Sequence, residues 1–348
     1  MLNTTPNAIN GHGQHGQAHL VPPHHLSEVV VGCRKSELAL VQARAVIVTL
    51  TRAMSCPPTF KIATGSAVGD VDKQTPFLLL SKQQGGSDVG KSLWTNNLEK
   101  NMLAGDVQLL VHSLKDMPTT LLPKCLLAAV PEREDPTDAV IMRTGSQFTS
   151  IDQLPAGSIV GSSSSRRRAL VRRNWPSLEV AECRGNVDTR LAKLDAPSSP
   201  FACILLATAG LARLGLKDRI TQRLDPRIFP PAVGQGALGI EVSTDREDTV
   251  HLVRHADHKP SRWRCMAERA MLRSLQGGCS SPIGASSSWD PTTDNRLRLQ
   301  ATVLDIEGTT SIFAEAEGIV QDDEAAEQLG VAVADILFEK GAHQLLRK

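Results

Sequence analysis

Residues 107–118 read VQLLVHSLKDMP, an apolar run that ends in His112, Ser113, Lys115 and Asp116. The run has the pattern of a strand buried on both faces, and in open α/β sheets ligands collect beyond the carboxyl ends of such strands. Lys115 and Asp116 are therefore candidates to line a cleft and meet a charged ligand. On this stretch alone a second reading also holds, in which the two form a solvated pair in the turn before Pro118.

Arginines recur at the ends of three further predicted strands. Residues 158–173, SIVGSSSSRRRALVRR, predict a strand over 158–161, a serine turn and a helix that opens near Ser164 or Ser165. Serine hydroxyls, free backbone N–H groups and the positive end of the helix dipole favour an anion there. Arg166 and Arg167 add forked donors matched to carboxylate or phosphate. Cations oppose the dipole at a helix start, so a purely structural helix rarely places them there. Arg168, Arg172 and Arg173 fall on later turns and read as a solvated face. Residues 178–193, LEVAECRGNVDTRLAK, repeat the pattern: Arg184 and Gly185 follow a strand, Asn186 is the expected N-cap, and Arg190 lies one turn into a helix. Residues 201–214, FACILLATAGLARL, repeat it again, with a strand over 203–207 and then, near Gly210, a helix carrying Arg213. So many guanidinium groups at strand ends predict one cleft for a ligand with several negative groups, since a single phosphate needs fewer.

At 348 residues the chain is long enough for two or three domains, and its alternation of strand and helix patterns predicts the α/β class. A formal net charge of +1, 3% aromatic residues and no tyrosine argue against a general nucleic-acid binder. The seven cysteines (Cys33, Cys56, Cys125, Cys183, Cys203, Cys265, Cys279) are odd in number and lack CxxC or Cys/His spacing. Neither a metal site nor a disulfide framework is expected. No apolar run approaches the ~18 residues of a membrane span, and residues 1–26 carry neither a secretory apolar core nor the arginines of a transit peptide. The expectation is a reduced, cytoplasmic protein with no membrane or nucleic-acid partner. Residues 1–26 read as a disordered tail, whose His12, His15, His19, His24 and His25 are too irregularly spaced to predict a metal site.

Residues 276–284 read QGGCSSPIG. Gly277 and Gly278 let the backbone take φ > 0 or approach a ligand closely, and Pro282 ends the turn, so Cys279 should project from a tight loop after a helix over 262–275. The other six cysteines are expected to be small core residues. Cys279 is either an accessible, reactive thiol or one more structural cysteine.

Taken in chain order, these segments closely resemble the hydroxymethylbilane synthase (porphobilinogen deaminase) family. The resemblance runs from about Val29 to the early 280s. It passes through GCRKSELALVQA (32–43), VHSLKDMPTTLLP (111–123), EREDPTDA (132–139), VGSSSSRRRA (160–169), CRGNVDTRLAKLD (183–195), LATAGLARLG (206–215), PAVGQGALGIE (231–241), AERA (267–270) and GGCSSPIG (277–284). It implies two similar hinged α/β domains of periplasmic-binding-protein type facing a cleft, plus a smaller α+β third domain. The implied bounds are a tail over 1–26, a discontinuous domain 1 over 27–133 and 233–254, domain 2 over 138–229 and domain 3 over 259–348. Proline-rich stretches at 131–136 and 230–231 agree with such boundaries.

The resemblance also implies a transferase that joins four porphobilinogen molecules head to tail, each losing ammonia, before water releases the linear tetrapyrrole. The primer is a dipyrromethane cofactor held by a thioether, and Cys279 matches the attachment cysteine. Asp116 matches the catalytic aspartate, whose carboxylate stabilises positive charge on ring nitrogens and relays protons. Arg34, Ser36, Ser113, Lys115, Ser163, Ser164, Arg166, Arg167, Arg184, Arg190 and Arg213 match positions that bind the acetate and propionate groups of cofactor and growing polypyrrole. Gln235 is implied to line the cleft, and Gly278 to leave room beside the cofactor. Porphobilinogen and the growing chain are the implied partners of a monomeric enzyme.

Some positions depart from the family pattern. Where the family has a glycine-lysine loop, residues 81–94 read SKQQGGSDVGKSLW, lengthened, with Lys91 as loop lysine and Trp94 in the phenylalanine position. Cys33 stands where Ser or Thr is common, Ser165 where leucine is common, and residues from Ser286 onward match weakly. Two rival readings also fit part of the sequence. An anion-binding protein on the same paired domains would explain the arginines but needs neither Asp116 nor Cys279. A nucleic-acid reading of SSSSRRRALVRR lacks a second basic segment beside aromatics.

Overall fold

The computed structural model describes residues 26–65, 95–276 and 281–346. The first part of the chain forms β1 (Glu28–Arg34), α1 (Glu37–Ala53), β2 (Thr59–Gly65), α2 (Asn96–Leu103), β3 (Leu109–Ser113) and β4 (Cys125–Ala129). A second α/β unit follows, with β5 (Asp138–Met142), β6 (Ile159–Gly161), α3 (Ser165–Asn174), β7 (Glu179–Ala181), α4 (Val187–Asp195), β8 (Phe201–Ala207), α5 (Thr208–Arg213) and β9 (Gln222–Arg223). The chain then forms β10 (Leu238–Ser243), α6 (Glu247–Val253), α7 (Lys259–Ser274), β11 (Ile283–Trp289), β12 (Arg296–Leu304), β13 (Ser311–Ile319) and α8 (Asp323–Glu339).

The sheets explain why the sequence reads as it does. The first has the order β2-β1-β3-β10-β4 and the second β7-β6-β8-β5-β9. In each, three parallel strands are followed by one antiparallel strand: β1 runs parallel to β2 and β3 while β10 opposes β3, and β6 runs parallel to β7 and β8 while β5 opposes β8. The expected pair of similar α/β domains is present. Strand β3 is buried on both faces because α1 packs Ala43, Val46 and Leu50 near Leu109 and Val111, while α2 packs Leu98 and Met102 against Leu110. That double cover is what its unbroken apolar run records.

Strand β10 reaches the first sheet only after the chain has built the second, so residues 130–137 cross out and residues 229–237 cross back. The third, smaller domain is an antiparallel meander, β11-β12-β13, whose Ala285, Leu299 and Ala301 face α7 and α8 in one core. Cys33, Cys183, Cys203 and Cys265 are buried as expected. Cys56 and Cys125 correct the core reading: Cys56 is exposed in the turn after α1, and Cys125 is half-buried where the edge strand β4 starts. Among the described residues no helix is long and apolar enough to cross a membrane. Residues 1–25 of the expected tail, the stretch 66–94 with Lys91 and Trp94, and Gly277, Gly278 and Cys279 lie outside the described residues.

Candidate active site

Strand β3 ends in a tight helical turn, Leu114–Asp116, whose buried Leu114 donates its N–H to the Ala237 carbonyl at 3.0 Å. That bond fixes the turn against the returning crossover. Gly234 (φ +71°) comes so near that a Cβ there would lie 3.3 Å from the Lys115 nitrogen. A larger residue would strain the approach. Lys115 and Asp116 thereby line a cavity of about 690 Å³ between the two sheets. The cleft reading is correct, and the pair is not a solvated turn.

Arg34, at the end of β1, and Ser36 line the same cavity. Ser36 is the N-cap of α1, its Oγ accepting from the Ala39 N–H at 3.3 Å. Ser113 exchanges hydrogen bonds with the Gln42 amide, whose Nε2 lies 2.9 Å from Ser113 Oγ. Gln42 also lines the cavity and was missed. Its signal was a polar residue on the otherwise apolar face of α1.

The second domain brings α3. Ser164 is its N-cap, with Oγ accepting from the Arg167 N–H at 3.4 Å, so the predicted helix start holds. Ser163 Oγ is buried there with no hydrogen-bond partner. Arg166 and Arg167 line the cavity, but their forks are not held for a ligand alone. Arg166 Nη1 donates to Asp138 Oδ2 at 2.7 Å, and Arg167 donates to Asp138 Oδ1 from Nε (2.9 Å) and Nη2 (2.6 Å). Burial opposes ionisation of Asp138, yet the two guanidinium groups more than offset it and hold its carboxyl well below the usual range. Asp138 is the main omission of the sequence reading. An acid opening the fully buried strand DAVIM was the available clue.

Gln235 ties these groups together. Its Nε2 donates to Asp138 Oδ1 at 2.9 Å and to the Pro136 carbonyl at 2.7 Å, while its Oε1 lies 3.5 Å from both Lys115 Nζ and Arg167 Nη2. Arg184, Arg190 and Arg213 line the cavity from the ends of β7 and β8. Arg190 Nε donates to the Gly185 carbonyl at 2.7 Å, and Arg213 Nη2 to the Gly236 carbonyl, also at 2.7 Å. Asn186 stands at the N-cap of α4 but makes no side-chain cap bond, and α5 opens at Thr208, before Gly210. Burial brings the Lys115 ammonium down to about 8 and, with Arg167 nearby, the Arg190 guanidinium down to about 10. An anionic ligand would relieve both.

The third domain contributes Leu272, Ser281 and Ile283 to the lining. Of the three later arginines of α3, only Arg173 is exposed as expected. Arg168 is half-buried, and Arg172 is not a solvated residue: it donates from Nη1 to the Ile306 carbonyl at 2.8 Å and pairs with Glu307 at 2.9 Å. The correction follows from the third domain, which covers that side of the helix.

Two family profiles match the chain. "Porphobilinogen deaminase, dipyromethane cofactor binding domain" matches residues 29–251 and "Porphobilinogen deaminase, C-terminal domain" matches residues 263–339. A curated relative from Schizosaccharomyces pombe, named porphobilinogen deaminase, is 40% identical over 320 residues, covering 91% of this chain and 94% of the relative. One of the same name from Yarrowia lipolytica is 41% identical over 326 residues, covering 92% and 93%. Among solved structures, immunogenic lipoprotein A from Vibrio vulnificus overlaps with a TM-score of 0.38 at 10% identity, covering 69% of this chain and 99% of that one.

Proposed function

The chain belongs to the porphobilinogen deaminase family, and on that premise we propose that it is a hydroxymethylbilane synthase whose chemistry runs in the cleft around Asp116. It is a transferase of tetrapyrrole biosynthesis that condenses porphobilinogen head to tail on a dipyrromethane cofactor, with loss of ammonia and hydrolytic release of hydroxymethylbilane. The observation that carries this reading is the lining of the cleft, where the half-buried carboxylate of Asp116 stands among Lys115 and the arginines of two facing domains, while the other described lining acids, Glu37 and Asp188, are exposed. A receptor for an anion gains nothing from an acid in that place.

The residues fit a dipyrromethane group. Its acetate and propionate carboxylates need fixed donors, and the cavity offers the unpartnered Ser163 Oγ and six arginines. When bound, the cofactor supplies the carbon nucleophile that starts the chain. Cys279 is the attachment residue, two positions before the cavity-lining Ser281. Asp116 would stabilise positive charge on a pyrrole nitrogen of a bound ring and would take up the proton that its carbon releases after each new bond. Arg34, Arg166, Arg167, Arg184, Arg190, Arg213 and Lys115 bind the two carboxylates that every pyrrole adds. Ser36, Ser113 and Ser164 hold the turns from which these cations project.

The domains are assigned as 27–133 with 233–254, 138–229 and 259–348, in keeping with the composition of the three sheets. A monomer is assigned, since among the described residues all three domains of the chain contribute to the lining. The free cysteines suit a reducing, cytoplasmic compartment. The test is intact mass under denaturing conditions with peptide mapping. The expected result is an excess of one dipyrromethane unit on Cys279. An adduct on another cysteine would overturn the attachment site, and no adduct together with no ammonia release from porphobilinogen would overturn the function.

A further inference from the structure

Leu304 ends β12 in the third domain, yet its side chain is fully buried in the core of the second, with Val160, Leu170 and Phe229. Its N–H donates at 2.9 Å to the carbonyl of Pro282, three residues beyond Cys279. From there the chain turns tightly into β13. The Asp305 N–H donates to the Thr310 carbonyl at 3.1 Å, and the Gly308 N–H to the Asp305 carbonyl at 3.1 Å. The tip of the turn sits on α3. Gly308 has φ +73°, and a Cβ there would overlap the carbonyl oxygen of Ala169, one turn beyond Arg166. Beside it Arg172 holds the Ile306 carbonyl at 2.8 Å and the Glu307 carboxylate at 2.9 Å. A helix of ten residues moves as a short rod, so a shift at Ala169 or Arg172 is carried to Arg166 and Arg167.

We propose that the turn between β12 and β13 is a positioning element for the condensation, holding α3 and its two leading arginines at a set distance from Pro282, three residues beyond Cys279. This rests on the roles given above to Cys279, Arg166 and Arg167. Carbon–carbon bond formation requires the anchored chain end and the incoming pyrrole in near-attack geometry, and a displacement of about 1 Å can cost on the order of 10²-fold in rate. The donors that bind the incoming carboxylates stay on α3, so a loosened turn should slow the bond-forming step more than it weakens binding.

Gly308→Ala and Arg172→Met test this in the full-length, cofactor-loaded enzyme, with Arg173→Ala as the control on the exposed side of α3 and Arg172→Lys as rescue. The Ala285 N–H still donates to the Pro231 carbonyl at 2.8 Å, which keeps the third domain docked. Should Gly308→Ala fail to fold, Arg172→Met carries the test. Expected are full cofactor occupancy by intact mass, faster hydrogen exchange at the amides of 304–310, and kcat lowered about 10-fold with KM changed less than about two-fold. Arg173→Ala should match wild type, and Arg172→Lys should regain part of kcat. Faster exchange with unchanged kcat would overturn the proposal, as would a rise in KM at constant kcat. If wild-type protein itself carries no adduct and releases no ammonia, the functional reading fails instead.

Discussion

At the scale of single residues, the cleft makes its cations costly to hold and so readies them for carboxylates. The Lys115 ammonium, brought to about 8 by burial, is charged below that pH and neutral above it. In the free enzyme kcat/KM for porphobilinogen should therefore fall as pH rises through about 8. Lys115→Arg, which stays charged, should remove that limb, and a limb unchanged in the variant would assign it to another group. Asp116→Asn keeps shape but loses the charge and the proton site. Its turnover should drop by about 10²-fold or more with an unaltered urea midpoint, and near-normal turnover would show that another group does this work.

At the scale of elements, α2 closes over the sheet with a buried acid. Glu99 on α2 lies near Glu241 on β10, which in turn pairs with His112 on β3 at 3.0 Å. Burial first, and the neighbouring Glu241 second, push the Glu99 carboxyl up from 4.5 to about 7. The folded chain thus keeps a proton that the unfolded chain gives up between those values, so this group's stabilising contribution is lost as pH rises through that window. Glu99→Gln should abolish the loss and raise stability at pH 8 by on the order of 1–3 kcal/mol relative to wild type. Urea unfolding at pH 5 and pH 8 measures it, and equal pH dependence in both proteins would contradict the assignment. On α3 the ion pairs with Asp138 mean that the helix start is held before any ligand arrives.

At the scale of the molecule, the third domain meets both crossovers on one buried ion pair. Arg133, in the outgoing crossover, donates to both oxygens of Glu268 on α7, at 2.7 and 3.1 Å, and from Nε to the Gln235 carbonyl at 2.9 Å. Glu268 also accepts the Gly234 N–H of the returning crossover at 2.8 Å. Next to it Arg269 donates to the Pro118 carbonyl at 2.6 Å, just beyond Asp116. The third domain therefore grips both crossings and the back of the turn that carries Asp116. Glu268→Ala would leave Arg133, 1% exposed, without its counter-charge, at a cost of about 3–5 kcal/mol. The unfolding midpoint should fall accordingly, and an unchanged midpoint would show that the junction is held by other contacts.

What the sequence determined by itself was local. An apolar run ending in Lys115 and Asp116, serines before Arg166 and Arg167, and glycines beside Cys279 are patterns of neighbouring residues, because strand ends, N-caps and tight turns are set by the backbone within a few positions. The alternation of such units also carried the α/β class, while the paired domains came from the family resemblance of those segments taken together. Tertiary structure alone decided which partners the side chains take. Asp138 meets Arg166 from another strand, Gln42 meets Ser113 from α1, Glu307 meets Arg172 from another domain, and Glu99 keeps its proton because the packing of α2 buries it, with Glu241 beside it. Those pairings depend on where distant segments are brought together and on the water excluded between them, and no spacing along the chain encodes either quantity.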